Sequence, residues 1–290
     1  MLATLKEVLE KAEQGNYAVG AFNCTSLESG MAIVEAAGEL NSPVILQYAD
    51  SHRHLISIDV IGPIMLQLAK IAKVPVVVHL DHGASIESCR HAVDMGFTSV
   101  MYDASAKPFE DNVAETRSVV EYAHERGASV EAELGHILTS KAGATEGNGK
   151  SYTREEAYTD PEMAKEFIER TNVDALAIGF GTAHGIYTEK PVLDLNRIAL
   201  IKSAKDIPYV MHGGSGLSEE EYRTAIHNGI RKINYYTYLS LAGGRGVMQY
   251  LEDKKDKDAI YFEDIAKAGI TVMKADVKRA MKIFESDGKI

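Results

Sequence analysis

Short apolar runs rich in Val, Ile and Ala recur along the chain, and they alternate with segments whose apolar residues have helical spacing. Continuous apolar runs of this length are typical of parallel strands buried on both faces, and such strands are usually joined by crossover helices. The pattern predicts eight strands, near Ala18–Phe22, Val44–Tyr48, Val76–Leu80, Ser99–Tyr102, Ser129–Glu133, Ala175–Gly179, Tyr209–Met211 and Lys232–Asn234. Eight strands that alternate with helices predict an α/β fold, a (β/α)8 TIM barrel, as one domain over residues 1–290.

An open, doubly wound sheet is the alternative arrangement for alternating strands and helices. The first predicted strand is not followed by the glycine-rich fingerprint that binds dinucleotides in such sheets. Side chains of the kind that bind ligands lie at the ends of at least five predicted strands. A closed barrel gathers these ends around one point, whereas an open sheet spreads them out. The barrel is therefore the favoured fold.

Two segments depart from the alternation of strands and helices. The segment from about residue 136 to residue 153 is rich in glycine and small polar residues and has no periodicity, which predicts a long mobile loop at the active site. The last part of the chain, Leu251–Ile290, is charged and has apolar residues at helical spacing. It predicts additional C-terminal helices that pack on the barrel or on another subunit.

The composition of the chain indicates which binding partners and which cellular compartment are expected. The chain of 290 residues has a formal net charge of −11, which argues against nucleic acid or an anionic membrane surface as its main partner. No apolar run approaches the length of a membrane span, and the acidic residues of the amphipathic N-terminal segment argue against a signal peptide. Only two cysteines are present, Cys24 and Cys89, which predicts a reduced, cytoplasmic compartment and no disulfide framework.

Three of the predicted strands lead into a histidine that lies beside a glycine. These histidines are His82, His184 and His212, and His82 directly follows the carboxylate Asp81. In a barrel of this kind the active site is built from the C-terminal ends of the strands and the loops after them. Imidazole is a common ligand of divalent transition metals. The pattern therefore predicts a divalent-metal site at the mouth of the barrel.

Five motifs at these strand ends resemble, in order along the chain, those of the class II, metal-dependent fructose-bisphosphate and tagatose-bisphosphate aldolases. The first reads His-Leu-Asp-His-Gly, and the third reads Gly-Thr-Ala-His-Gly-Ile-Tyr. The five motifs occupy residues 79–83, 131–135, 181–187, 212–216 and 232–237. The resemblance extends over nearly the whole chain, and its strength lies in the order of the motifs rather than in any one of them.

The resemblance implies a Zn²⁺ ion held by His82, His184 and His212. Three imidazoles leave coordination positions open, so the ion can bind substrate oxygens and act as a Lewis acid. Asp103 and Glu133 are expected to orient these ligands or to form an alternative metal position. His79 is expected to be a supporting or core residue. The remaining helical and loop histidines are predicted to lie on the surface, apart from the undecided His136; they are His52, His54, His91, His124 and His227.

Two acidic residues are the candidates for proton transfer. By resemblance, Asp81 takes the proton of the substrate C4 hydroxyl during cleavage and returns it during condensation. The alternative role for Asp81 is to orient a ligand histidine. Glu146 is the obvious acid of the predicted loop that could take the C3 proton, although it is displaced from the position at which relatives carry one.

Residues after the last two predicted strands are expected to bind a phosphate group. Loops at this position, with backbone N–H groups exposed by glycines, form the usual phosphate pocket of such barrels. In relatives a monovalent cation, Na⁺ or K⁺, often lies near this pocket. The predicted substrate-binding residues are Asn23, Gly185, Gly213, Gly214, Ser215, Asn234, Tyr235, Tyr236 and Thr237.

The sequence also departs from the family. The C-terminal part lacks the arginine that relatives commonly carry for the distal phosphate, and Lys267 and Lys190 are the candidate replacements. The leading hypothesis is an aldolase that releases dihydroxyacetone phosphate from a ketose 1-phosphate, by default fructose 1,6-bisphosphate and next tagatose 1,6-bisphosphate. An aldolase for a non-phosphorylated aldehyde is a close variant. The other hypotheses are a non-catalytic subunit on the same scaffold and a metal-dependent hydrolase. A homodimer or homotetramer is expected.

Overall fold

The structure is a computed structural model, and it describes residues 1–139, 153–187, 189–254 and 259–290. Within these residues the strands are β1 (Val19–Asn23), β2 (Val44–Ala49), β3 (Val76–Gly83), β4 (Ser99–Tyr102), β5 (Ser129–Leu134), β6 (Leu138–Thr139), β7 (Ala175–Ile178), β8 (Ala183–His184), β9 (Tyr209–Met211) and β10 (Ile230–Tyr235). Eight of them close into a barrel in the order β1-β2-β3-β4-β5-β7-β9-β10, with parallel pairing throughout. The short strands β6 and β8 pair only with each other.

The helices form a layer around the barrel. They are α1 (Leu5–Gly15), α2 (Leu27–Leu40), α3 (Ile58–Ile71), α4 (Ile86–Met95), α5 (Phe109–His124), α6 (Arg154–Ala157), α7 (Pro161–Thr171), α8 (Leu195–Ala204), α9 (Glu219–Asn228), α10 (Thr237–Lys254) and α11 (Phe262–Ile283), with a 3-10 helix at Asp50–His54. Helices α10 and α11 pack on each other, and α11 also contacts α2 and β1. None of the helices in the described residues is long and apolar enough to cross a bilayer.

Helix α1 packs against residues from inside the barrel. It begins with a capping box, in which Thr4 accepts a hydrogen bond from the Glu7 backbone N–H and Glu7 accepts one from Thr4. Its apolar face, which includes Leu5 and Leu9, is fully buried. This face packs in one cluster with barrel side chains from several strands, namely Val19, Ala21, Ile45, Val77, Met101, Ala175, Ala177 and Val210.

The barrel interior changes from apolar to polar along the strands. Alternate residues of a strand point to the same side, and on β3 this gives the series Val77, His79 and Asp81. Val77 belongs to the apolar cluster around α1, whereas His79 and Asp81 are buried among polar side chains. The polar side chains therefore lie toward the C-terminal ends of the strands, where the loops converge.

The eight strands predicted from the apolar runs are all present, and their bounds differ from the predicted ones by at most three residues. The largest difference is on β3, which continues to Gly83. The short pair β6 and β8 was not predicted, because two-residue strands have no periodicity. The C-terminal helices are confirmed, and their contacts place them on the barrel. Most of the predicted loop, residues 140–152, lies outside the described residues.

We predict that Leu9→Ala lowers the free energy of unfolding by about 2–5 kcal/mol, because it leaves a cavity in the cluster beneath the barrel. Leu200→Ala on α8 is the matched control. Leu200 is 58% exposed, and its loss should change the stability by less than about 0.5 kcal/mol. Urea denaturation followed by circular dichroism measures both. Equal effects of the two substitutions would contradict the packing of α1 against the barrel interior.

Candidate metal and active site

A local irregularity in β3 brings Asp81 and His82 to the barrel mouth together. The pairing of β3 with β4 shifts register between Leu80 and Gly83, and His82 has a positive φ of 46°. Bulges of this kind redirect a side chain, and a left-handed non-glycine residue is uncommon and strained. As a result two successive side chains, which would face opposite sides of a regular strand, both border one cavity.

His184 and His212 are held together by a close approach of two backbone segments. His184 lies on β8, several residues beyond the end of β7, and His212 directly follows β9. At Gly213, with a φ of 65°, a Cβ atom would lie 2.5 Å from the Ala183 carbonyl. Only glycine fits this approach without a shift of the backbone. Tyr187 links the same segments, since its hydroxyl accepts from Ala183 N (2.9 Å) and donates to Gly213 O (2.7 Å).

The three histidines form one cluster around a common centre. A ring nitrogen of each lies within 4.8 Å of the others, and His82 Nε2 is 2.9 Å from His212 Nδ1. The other nitrogen of both His82 and His212 contacts a carboxylate. His82 Nδ1 donates to Asp103 Oδ2 at 2.8 Å, and His212 Nε2 donates to Glu131 Oε1 at 2.9 Å. Metal-binding histidines are commonly oriented in this way, with the second N–H on a carboxylate.

The charges around this centre fit a cation. Burial lowers the pKa of His82, but Asp81 and then Asp103 outweigh burial and raise that pKa to about 10. Burial, and next the nearby charge of His82, hold the pKa of His212 well below its usual range, so His212 is a neutral imidazole. Burial and the charge of Asp103 raise the pKa of Glu133 well above its usual range. The protons on His82 and Glu133 thus offset the negative charge of the acidic side chains. A dication held by the histidines would take the place of these protons.

A second group of possible ligands adjoins the first. His82, Asp103 and Glu133 also bring one ligand atom each within 4.8 Å of one another. Glu133 Oε2 is buried and has no hydrogen-bond partner among the described residues. Asp103 Oδ1 accepts from the backbone and the hydroxyl of Ser105. The structure thus places both predicted carboxylates beside the histidines, with Asp103 as the direct partner of His82.

Asp81 is held from two sides at the edge of the same centre. Its Oδ1 accepts from Asn234 Nδ2 at 2.9 Å and its Oδ2 accepts from Gln47 Nε2 at 3.2 Å. Burial raises the pKa of Asp81, but nearby positive charge, that of His82 first and also that of Lys232, outweighs burial and lowers the pKa to about 2. Asp81 is therefore an ionised carboxylate with a fixed orientation, which a proton-accepting group requires.

One cavity of about 250 Å³ joins the histidine cluster to the predicted phosphate pocket. The glycines after β9 form one side of it, and helix α10 begins beside it at Thr237. A helix N-terminus presents unpaired N–H groups and the positive end of the helix dipole, which favour an anion. The predicted residues that line the cavity are Asn23, Asp81, His82, His184, Gly185, Gly213, Gly214, Ser215, Asn234, Tyr235, Tyr236 and Thr237.

The structure corrects two predicted positions. His52 was expected on the surface, but it lines the cavity, where its ring contacts that of Tyr236 at 4.5 Å between centroids. It does so because the 3-10 helix after β2 folds over the barrel mouth. Tyr235 borders the cavity, yet its ring packs against Phe22 and its hydroxyl donates to Asp276 of α11. The Tyr235 side chain thus packs between the barrel and its helices.

Neither candidate for the distal phosphate lines the cavity. Lys190 is 82% exposed at its side chain and pairs with Glu221, and Lys267 is exposed on α11. Among the described residues that line the cavity there is no lysine or arginine. Glu146, the candidate for the C3 proton, lies outside the described residues.

The sequence reasoning missed the buried residues behind the cavity. Glu131 and Lys232 belong to two of the five motifs, but no role is predicted for them or for Gln47 from the sequence. All three are fully buried and connect the histidines with Asp81 and Asn234. A polar or charged residue within an apolar run was the signal that could have found them.

Comparison with known proteins agrees with this arrangement. The model of the family described as fructose-bisphosphate aldolase class-II matches residues 3–289. The fructose-bisphosphate aldolase of Geobacillus stearothermophilus is 40% identical over 291 residues, which cover 99% of this chain and 98% of the relative. That of Staphylococcus aureus (strain Mu50) is 40% identical over 260 residues, 88% of each chain.

Solved structures show the same likeness. The YdjI aldolase from Escherichia coli K12 superposes with a TM-score of 0.85 at 34% identity and covers 100% of this chain and 99% of its own. A putative fructose-1,6-biphosphate aldolase from Coccidioides immitis superposes with a TM-score of 0.83 at 27% identity, covering 98% and 97%. The family match spans nearly the whole chain. The chain is an enzyme, a lyase that belongs to the class II fructose-bisphosphate aldolase family, whose members are generally metal-dependent.

Proposed function

We propose that this enzyme catalyses the reversible, Zn²⁺-dependent cleavage of a ketose 1-phosphate, by default fructose 1,6-bisphosphate, into dihydroxyacetone phosphate and glyceraldehyde 3-phosphate. One observation carries the proposal. The ionised Asp81 lines a single cavity with His82 and His184, two of the three clustered imidazoles, and with a pocket formed by glycines and a helix N-terminus, and the buried His212 adjoins these two histidines. Base, metal ligands and phosphate pocket therefore lie within reach of one small substrate.

His82, His184 and His212 would hold the metal ion. Three nitrogen ligands with open positions suit Zn²⁺, and the carboxylate contacts of His82 and His212 turn their remaining nitrogens toward the shared centre. A bound Zn²⁺ would supply Lewis-acid stabilisation of the negative charge that develops on the ketone oxygen during cleavage.

Asp81 would accept the proton of the C4 hydroxyl. As that proton leaves, the C3–C4 bond breaks, the C4 oxygen becomes the aldehyde, and the bonding electrons pass to the dihydroxyacetone phosphate fragment. That fragment then gains a proton at C3, for which Glu146 is the predicted donor, before release. The hydrogen bonds from Asn234 and Gln47 keep both Asp81 oxygens in place during the transfer. In the reverse direction Asp81 returns its proton to the aldehyde oxygen.

The phosphate at C1 would lie between the loop after β9 and the N-terminus of α10. Backbone N–H groups of Gly213, Gly214 and Ser215 are the expected donors, together with the first turn of the helix at Thr237. This pocket attracts the dianion with dipoles rather than with side-chain cations.

A non-phosphorylated aldehyde is the second candidate product. No lysine or arginine is found among the described residues that line the cavity, whereas a second phosphate on the substrate would gain from a bidentate cation. This observation favours an aldehyde without phosphate, while the names of the 40% identical relatives favour fructose 1,6-bisphosphate. Tagatose 1,6-bisphosphate differs only in configuration and stays an alternative.

We also propose that the enzyme is a homodimer or homotetramer in the cytoplasm. Large apolar side chains are exposed on α10 and at the start of α11, where Met248 is 71% and Phe262 is 78% exposed. Exposed apolar surface of this kind is common at subunit interfaces. Both cysteines are free and buried, in keeping with a reducing compartment.

The first test is proton exchange at C3 of dihydroxyacetone phosphate in deuterated water, followed by NMR. We expect exchange that a chelator abolishes and Zn²⁺ restores, since enolisation needs the metal but not the aldehyde. Absence of exchange in zinc-loaded protein would reject the proposed chemistry. A screen of phosphorylated and non-phosphorylated aldehydes in the condensation direction then separates the two candidates.

We predict that Asp81→Asn lowers the rate of cleavage by about 10²- to 10⁴-fold, the usual range for loss of a general base. Metal content and the C3 exchange should persist, because Asp81 acts at the C4 oxygen. The control is Asp59→Asn. Asp59 lies on α3, is exposed and pairs with His91 of α4, so this variant should have normal kinetics. Cleavage by Asp81→Asn at a near-normal rate would exclude Asp81 as the base.

We predict a native mass of two or four chains by size-exclusion chromatography with light scattering. Phe262→Asp should shift the enzyme toward a smaller species, because a charge at an apolar interface is costly. Leu200→Asp, at an exposed position on α8, should leave the mass unchanged. A wild-type monomer at micromolar concentration would refute the proposed assembly.

A further inference from the structure

Lys232 is a fully buried lysine behind the active-site cavity. It lies on β10 with a side chain that is 0% exposed, and it does not line the cavity. Its Nζ donates to Asn234 Oδ1 at 2.7 Å and forms an ion pair with Glu131 Oε2 at 2.9 Å. Burial of an ammonium group is costly unless it is paired and hydrogen-bonded. The two contacts therefore account for the presence of this lysine in the barrel.

Each partner of Lys232 leads to a different part of the site. Glu131 accepts from His212 Nε2 through its other oxygen, at 2.9 Å. Asn234 donates from its amide nitrogen to Asp81 Oδ1, at 2.9 Å. A single ammonium group thus lies one residue away from a histidine of the metal cluster and one residue away from the proton-accepting carboxylate.

The contact with Asn234 decides which way its amide faces. An ammonium group can only donate, so it requires the Asn234 oxygen, and the Asn234 nitrogen is left to face Asp81. With the amide turned the other way, two oxygens would face each other at the Asp81 carboxylate. Lys232 therefore keeps a donor, and not an acceptor, on the base.

The contact of Lys232 with Glu131 fixes the orientation of His212, because Glu131 accepts a hydrogen bond from that histidine. Glu131 is 0% exposed, and His79 Nε2 lies 3.6 Å from the same oxygen that Lys232 contacts. Burial, followed by the charge of Lys232, holds the pKa of His79 well below its usual range, so His79 is neutral. Lys232 is thus the cation that compensates the charge of the Glu131 carboxylate. That carboxylate in turn holds His212 with its Nδ1 toward the metal cluster.

We propose that Lys232 is a positioning residue that sets the metal ligand His212, through Glu131, and the base Asp81, through Asn234, at the same time. The role of Asp81 as base rests on the proposed function, whereas the orientation of His212 does not.

Lys232→Met is the test, because methionine has a similar length but no charge and no donor. The probe is Co²⁺, titrated into metal-free enzyme and followed by its visible absorption. We expect Co²⁺ affinity and kcat each to fall by about 10- to 100-fold, as is usual on loss of a partner behind a metal ligand. KM should change little, because Lys232 does not line the cavity.

Arg231→Met is the matched control on the same strand. Arg231 is also buried, but it pairs with Glu13 and bonds Asn16 at the end of α1, on the other side of the strand. Its loss should lower the melting temperature while Co²⁺ affinity and kcat stay normal. If Lys232→Met behaves like Arg231→Met in all three measurements, Lys232 is only structural and the proposal fails.

Loss of Lys232 leaves the Glu131 charge uncompensated, which could prevent folding. The double variant Lys232→Met with Glu131→Gln removes both charges at nearly constant volume. It should fold and still bind Co²⁺ weakly, with low kcat, because Asn234 has lost the donor to its oxygen and His212 contacts a neutral amide that can turn, in place of a carboxylate. Wild-type affinity and kcat in the folded double variant would overturn the proposal. If the wild type lacks aldolase activity altogether, the Co²⁺ titrations still decide whether Lys232 orients His212.

Discussion

The balance of charge inside the barrel is the constraint on which the site depends. Four acidic side chains, those of Asp81, Asp103, Glu131 and Glu133, converge near the strand ends; three of them are buried, and Asp103 is partly exposed. Charges in a low-dielectric interior are costly unless a countercharge is close. Lys232 supplies one positive charge, and in the absence of a metal His82 supplies another through its raised pKa. A dication between the histidines would satisfy the same requirement with the imidazoles neutral.

The backbone enforces this convergence at some cost in strain. His82 has a left-handed conformation within a bulge, and the loop at Gly213 passes against the backbone of Ala183 with no space for a side chain. Such conformations persist only where the surrounding structure holds them. The Tyr187 hydroxyl, bonded to both segments, is one such restraint. The stability of the barrel therefore offsets the strain in the backbone at its mouth.

The cavity offers two kinds of recognition. Glycine N–H groups and the N-terminus of α10 provide dipoles for an anion. Aromatic rings are also present, because the 3-10 helix after β2 brings His52 against Tyr236, the residue before α10. The aldolase centre is thus bordered by the loop after β9, the start of α10 and the 3-10 helix after β2.

The sequence by itself determined the strands and the placement of the chemistry at their ends. Apolar runs of strand length are a local signal, and a residue that follows such a run must lie at the barrel mouth whatever its neighbours are. For this reason Asp81, His82 and His212 could be placed from the sequence. The glycines beside them likewise marked positions of close backbone approach.

Only the tertiary structure decided how these residues are connected. The register between strands, the bulge at His82 and the direction of Tyr235 depend on pairing between segments far apart in the chain. In the sequence, Glu131 and Lys232 are charged residues within apolar strands. Their ion pair forms only when β5 and β10 belong to one closed barrel. The place of His52 depends on how a short helix folds over the mouth. Contacts of this kind arise from closure of the barrel, and no local pattern in the sequence contains them.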